Sequence, residues 1–248
     1  MRYLVLSDIH ANLEAFEAVL EMARGKYDQA VCLGDVVGYG PDPNAVVDLV
    51  RQSVSVVIRG NHDKVCSGII GTEDFNPVAK MAALWTRMTL TPEHAAFLRQ
   101  LRSGPLVMAG FEMVHGSAED EDQYLFGAAE AIPVLRNQQM QLALFGHTHH
   151  QGGFSLTQAG SFKTLAIRSR RKGRMMSVGL NDRIRYLVNP GSVGQPRDGD
   201  WLAAFALLDE TKRRVDFYRA PYEVAFTQRK MASAELPEFL IQRLRAGR

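Results

Sequence analysis

An α/β protein built around a largely parallel sheet is the fold class that this sequence predicts, and three observations lead to it. The first third of the chain alternates short apolar runs with amphipathic stretches, in the order strand-helix-strand-helix-strand. Those runs are continuous rather than alternating, as in strands covered on both faces. Each run also stops at a polar cluster: Ser7-Asp8-Ile9-His10, Gly34-Asp35 and Gly60-Asn61-His62-Asp63. Binding groups are commonly displayed on such strand-end loops.

Taken in order, the run from Tyr3 to Leu6 is the first expected strand. Asn12 is placed to cap a helix whose apolar positions Leu13, Phe16, Leu20 and Ala23 keep near-helical spacing. Ala30 to Leu33 is the second strand, followed by a turn region with Gly38, Gly40, Pro41 and Pro43. Asp42 is a candidate cap for the next helix, with Pro43 at its first position. The β-branched run Val54–Ile58 is the third strand. Asn76-Pro77 and Thr91-Pro92 are helix starts, leading into Val78–Met88 and Glu93–Leu101. Pro105–Met108 and Phe111–His115 read as a hairpin around Ala109-Gly110, and the acidic stretch Glu119-Asp120-Glu121-Asp122 as a solvated loop. A helix near Ala128–Arg136 contains Pro133 and is expected to be short or kinked. Gln141–Phe145 is a strand ending at Gly146-His147-Thr148-His149. Beyond it the pattern is β-rich, with candidate strands Gly152–Leu156, Phe162–Ile167, Met175–Val178 and Arg183–Val188. A final hairpin follows (Trp201–Leu208 with Arg214–Tyr218), then a last helix near 237–245. The basic residues Arg168, Arg170, Arg171, Lys172 and Arg174 fall at a hairpin end, where a solvated turn is the default reading and a patch binding an anionic substrate the alternative.

The 248 residues can bury a sizeable core. No repeat, low-complexity segment or linker divides them, so one domain over 1–248 is expected. A formal charge of +2, from 29 basic and 27 acidic residues, gives no global reason to expect nucleic acid or an anionic membrane as partner. Two cysteines, Cys32 and Cys66, make no disulfide framework and suit a reducing cytoplasm. The first apolar run meets Asp8 too early to be a secretory segment, and no apolar run approaches the length of a bilayer span. A cytoplasmic protein is the expectation. Oligomeric state leaves no trace in the sequence.

Asp8, His10, Asp35, Asn61, His62, His115, His147 and His149 all follow expected strands. In a mostly parallel sheet the carboxyl ends of strands share an edge, so these residues can converge although they span most of the chain. Carboxylate oxygen, imidazole nitrogen and amide oxygen are ligands for divalent manganese, iron, zinc or nickel. No cysteine belongs to the set, which argues against a structural zinc knuckle. Seven of these eight as ligands are too many for one ion and suit two that share a bridging carboxylate. With only Asp8 and Asp35 to offset two divalent ions, the site stays positive, as an anionic phosphate substrate requires. Each fragment alone has an ordinary reading as a turn or a cap. Their recurrence at successive strand ends does not.

Asp8-Ile9-His10, Gly34-Asp35, Gly60-Asn61-His62-Asp63, His115-Gly116 and Gly146-His147-Thr148-His149 together resemble the signature of the calcineurin-like metallophosphoesterases. The blocks fall in that family's order, over roughly residues 1–220. Gly38-Tyr39-Gly40-Pro41 and Asn189-Pro190-Gly191-Ser192-Val193-Gly194 are similar to small bacterial and archaeal members. The resemblance implies a four-layer α-β-β-α sandwich of two mixed sheets flanked by helices. It also implies two divalent ions, with manganese the favoured occupant. Asp8, His10, Asp35 and His149 would hold one ion, and Asp35, Asn61, His115 and His147 the other. His62 would be the general acid, with Asp63 orienting it and favouring its charged form, and metal-bound hydroxide the nucleophile. Arg197, Arg59 and Tyr39 are candidate substrate contacts. The implied activity is hydrolysis of a phosphodiester or phosphomonoester on a small or nucleotide-like substrate. Phosphoprotein phosphatase, dinucleoside polyphosphate hydrolase and a non-catalytic scaffold of the same fold are the alternatives.

Overall fold

The computed structural model describes residues 1–167 and 173–248, with the side chains of 173–175 left aside. Its elements are, in chain order, β1 (Arg2–Leu6), α1 (Leu13–Ala23), β2 (Gln29–Cys32), α2 (Pro43–Ser53), β3 (Val56–Val57), α3 (Asn61–Ser67), α4 (Pro77–Thr89), α5 (Pro92–Gln100), β4 (Leu106–Val107) and β5 (Glu112–Met113). There follow α6 (Ala128–Asn137), β6 (Leu142–Leu144), β7 (Gly152–Thr157), β8 (Phe162–Thr164), β9 (Gly173–Gly179), β10 (Ile184–Asn189), β11 (Ala203–Asp209), β12 (Arg214–Ala220), α7 (Val224–Ser233) and α8 (Glu238–Ala246).

The strands form two six-stranded sheets, ordered β3-β2-β1-β11-β12-β9 and β4-β5-β6-β10-β7-β8. In the first, β3, β2 and β1 run parallel and the rest antiparallel. In the second, β5, β6 and β10 run parallel, with antiparallel neighbours on either side. Both sheets are therefore mixed, and each contributes three parallel strands.

Side-chain alternation explains the continuous apolar runs. Tyr3 and Val5 of β1 meet Leu142 and Leu144 of β6, Tyr186 and Val188 of β10, and Phe217 of β12 in a core between the sheets. Leu4 and Leu6 point the other way, into a layer with Phe16 and Val19 of α1, Val46 and Val50 of α2, and Leu240 of α8. Ala143 and Leu187 likewise turn away from the central core, toward Ala131, Val134 and Leu135 of α6. Helices, sheet, sheet and helix thus make the expected four-layer sandwich.

Some local expectations differ from the structure. The third strand shrinks to Val56–Val57, with Ile58 adding one isolated bridge to Arg102. Asn61-His62-Asp63 does not lie on a loop but opens helix α3. Asp42 precedes α2 without capping it by its side chain, which instead pairs with Lys230. Pro133 is accommodated in a ten-residue helix. Helix α7, with a weakly amphipathic sequence and no side-chain cap, escaped the sequence reading. The acidic loop is not merely solvated: Glu121 pairs with Arg59 at 2.9 Å and Lys64 at 3.0 Å, and Asp122 pairs with Lys64 at 2.7 Å. Of the basic cluster, Arg168, Arg170, Arg171 and Lys172 lie outside the described residues, and only the backbone of Arg174 is described.

Candidate metal centre

The polar clusters gather at the carboxyl ends of the parallel strands of both sheets. Asp8 follows β1, Asp35 follows β2, Asn61 and His62 follow β3, His115 follows β5, and His147 and His149 follow β6. The segment after β10 closes the arrangement from below. Ser192 Oγ donates to Asp8 O at 2.8 Å, and the Val193 and Gly194 amides donate to Ser7 O and Asp8 O. Asn189 Nδ2 donates to Gly146 O at 2.9 Å, fixing the loop that carries His147 and His149.

Two ligand sets result. Asp8, His10, Asp35 and His149 offer atoms within 4.8 Å of one another, and so do Asp35, His115 and His147. All these residues are buried. Asp35 belongs to both sets: its Oδ2 lies 3.6 Å from His10 Nε2 and 3.4 Å from His115 Nε2. Asn61 joins the second set, with its Oδ1 3.3 Å from His115 Nε2.

The donor chemistry fits divalent cations. His10 Nδ1 sits 3.1 Å from Val37 O, His115 Nδ1 2.8 Å from Leu33 O, and His149 Nδ1 2.6 Å from Gln195 O. A carbonyl only accepts, so each Nδ1 carries the hydrogen and each Nε2 turns toward the site, the usual arrangement of a metal-binding histidine. Burial holds His10 and His149 well below the ordinary imidazole pKa, and burial lowers His147 to about 3. These rings are neutral, with lone pairs available. Asp8 Oδ2 and Asp35 Oδ2 are buried without a hydrogen-bond partner among the described residues. Buried oxygens of this kind normally find a partner, and a cation between the sets would provide it.

The backbone is strained where these candidate donors sit. Asp8, His10, Asp35, His147 and His149 all have φ between 49° and 64°, as do Ala11 and Tyr39 beside them. Among the described residues only Arg213 and Glu235 share this trait elsewhere. Such conformations cost on the order of 1–3 kcal/mol each and tend to cluster at functional sites. Two glycines are needed for the close packing. A Cβ on Gly60 would meet Asp35 Oδ1 at 2.2 Å, and one on Gly38, whose φ is +92°, would meet His62 Nδ1 at 2.5 Å.

His62 stands beside the clusters, its ring 4.9 Å from His10, 4.3 Å from Tyr39 and 4.6 Å from Phe75. Its backbone N–H donates to Asp35 Oδ1 at 2.8 Å, whereas its Nδ1 has no partner among the described residues. The expected contact with Asp63 is not made. Asp63 spends both oxygens on the backbone, accepting from Val37 N at 3.2 Å and Gly60 N at 3.0 Å. Nor does Asp63 favour a charged His62: burial lowers that ring to about 4 and raises the Asp63 carboxyl to about 7.

The three candidate substrate contacts separate. Arg59 turns away to Glu121. Tyr39 lines a cavity next to His62. The Arg197 guanidinium lies 5.6 Å above the Tyr39 ring, its Nε buried and unpartnered among the described residues. The sequence reading missed Tyr124, which stacks on His147 with ring centroids 3.8 Å apart. No periodic signal marked it, because it follows the acidic stretch in an irregular segment.

The description of the calcineurin-like phosphoesterase superfamily domain matches residues 1–213. An uncharacterized protein of Methanocaldococcus jannaschii is 33% identical over 256 residues, covering 98% of this chain and 97% of that protein. The crystal structure of a metallophosphoesterase from Sphaerobacter thermophilus aligns with a TM-score of 0.85 at 38% identity, covering 100% of this chain and 99% of that one. A hypothetical protein from Pyrococcus horikoshii OT3 aligns with a TM-score of 0.79 at 21% identity, covering 100% and 98%, and speaks for the fold alone.

Proposed function

The chain belongs to the calcineurin-like phosphoesterase superfamily, and we propose that it is a dinuclear metal-dependent phosphoester hydrolase acting on a small phosphodiester or phosphomonoester. The observation that carries this reading is the position of Asp35 Oδ2, buried between His10 Nε2 and His115 Nε2 with no hydrogen-bond partner among the described residues. A carboxylate so placed suits a bridge. Asp8, His10, Asp35 and His149 would hold one divalent ion, and Asp35, Asn61, His115 and His147 the other. Manganese is our favoured occupant of a set made of oxygen and imidazole donors. Two such ions supply Lewis acidity toward phosphoryl oxygens and an activated water.

The chain's own residues do the rest. Carbonyls of Leu33, Val37 and Gln195 fix the histidine rings, so the site is organised before substrate arrives. Arg197 Nε has no hydrogen-bond partner among the described residues, and the guanidinium offers positive charge to a phosphate oxygen. His62 is neutral while the site is empty of substrate, and an anionic phosphate brought next to it favours its protonated form. It then gives that proton to the departing alcohol oxygen. Asp63 acts at one remove, by tying the Gly60 and Val37 backbones that frame His62.

We read residues 1–248 as one domain, and its buried free thiols Cys32 and Cys66 fit a cytoplasmic location. The test is a panel of bis-aryl, monoaryl, cyclic-nucleotide and dinucleoside-polyphosphate esters with manganese-loaded protein. Turnover of at least one simple diester or monoester is expected; a panel left wholly intact would favour a non-catalytic scaffold.

A further inference from the structure

A cavity of about 220 Å³ opens beside His62, faced by the rings of Tyr39, His62, Phe75, Tyr124 and His147. It is smaller than the roughly 300–1,000 Å³ typical of sites for drug-sized ligands. Its charged lining is acidic. Asp74 and Asp122 line it, and among the described residues no lysine or arginine does. Asp122 is engaged by Lys64. Asp74 is exposed and makes no ion pair or hydrogen bond among the described residues. Of the cations nearby, Lys64 is bound to Asp122 and Arg197 lies over the Tyr39 ring, and neither lines the cavity. One end of the site is thus suited to an anion and the other to its opposite.

Resting on the phosphoesterase reading above, we propose that this cavity holds the alcohol leaving group and selects a small cationic one, an amino alcohol of the ethanolamine or choline class. Because His62 forms part of the wall, an alcohol lodged there has its oxygen within reach of the proposed acid. Aromatic faces attract a desolvated ammonium group through their quadrupoles, and quaternary ammonium ions are recognised by such ring clusters. The free Asp74 carboxylate adds a direct charge partner. A polyphosphate leaving group would instead bring negative charge against Asp74 and Asp122, with no cation among the described residues of the wall to receive it. In the reaction, water oxygen bonds to phosphorus while the bond from phosphorus to the amino-alcohol oxygen breaks. That oxygen takes the His62 proton, and the proton released from water restores His62.

The experiment compares two phosphodiesters that differ only in one leaving group, choline or its uncharged carbon isostere 3,3-dimethylbutanol. It uses wild type and Asp74→Asn, and both proteins are also titrated with tetramethylammonium by calorimetry. Wild type is expected to favour the choline ester by about tenfold or more in kcat/KM, chiefly through KM, and Asp74→Asn to lose most of that ratio. Tetramethylammonium should bind wild type about tenfold more tightly than the variant. Equal kcat/KM for both esters in wild type would overturn the cation selection and leave the phosphoesterase reading intact. Absence of turnover with Asp74-dependent tetramethylammonium binding would support the cation site and overturn the phosphoesterase reading. Failure of tetramethylammonium to bind wild type would overturn the cation site.

Discussion

His10 Nε2 and His149 Nε2 face each other at 3.1 Å although the two residues lie 139 positions apart in the chain. Each ring commits its Nδ1 hydrogen to a backbone carbonyl, and burial keeps each neutral. Two lone pairs then confront one another, an arrangement that is unfavourable by itself and natural around a shared cation. Stability should therefore depend on metal. Stripping the protein with a chelator is expected to lower Tm by about 5–10 °C, the shift for a ligand previously held at roughly a hundredfold its Kd. His149→Ala should shrink that shift substantially. A melting curve indifferent to chelator would count against metal in this site.

Among the described residues, no proposed metal ligand is hydrogen-bonded to a side-chain nitrogen of His62, so its loss should separate binding from chemistry. His62→Ala is expected to slow turnover of an aryl phosphodiester by about 10²–10⁴-fold, the usual contribution of a positioned acid. Metal content measured on the same sample should stay at the wild-type level. An unchanged rate would remove His62 from the mechanism.

Much of this site was legible in the sequence because its chemistry is carried by short blocks at strand ends. A continuous apolar run that stops at Asp8-Ile9-His10 or Gly34-Asp35 announces both the strand and its polar terminus. What the sequence hid were relations set by the fold at long range. Asp63 adjoins His62 in sequence, yet its carboxylate points to Val37 and Gly60 because the start of a helix offers unpaired backbone donors. Glu121 and Asp122 look like a solvated run until the neighbouring Arg59 and buried Lys64 are seen to meet them. Tyr124 reaches His147 across a loop with no periodicity to betray it.

The Glu121 contacts predict a pH-dependent stability. Burial alone would raise its carboxyl, but bonds from Arg59 and Lys64 outweigh this and hold it below the ordinary value of 4.5. A carboxyl depressed in the folded state stabilises above its unfolded pKa, and that contribution is lost as pH falls through the folded value. Glu121→Gln should thus cost on the order of 1 kcal/mol at neutral pH. The gap between wild type and variant in urea midpoints should close as pH falls from neutral through the folded value of Glu121. A gap of the same size at both ends of that range would mean that the carboxylate charge is not what matters.

The most direct measurement of the central claim is the rate of bis-aryl phosphodiester hydrolysis as manganese is returned to metal-free protein. The account predicts negligible turnover without metal, a rise as manganese is added, and a plateau near two equivalents per chain, one for each of the proposed sites that share Asp35. Full turnover by metal-free protein, or none at any loading, would contradict it.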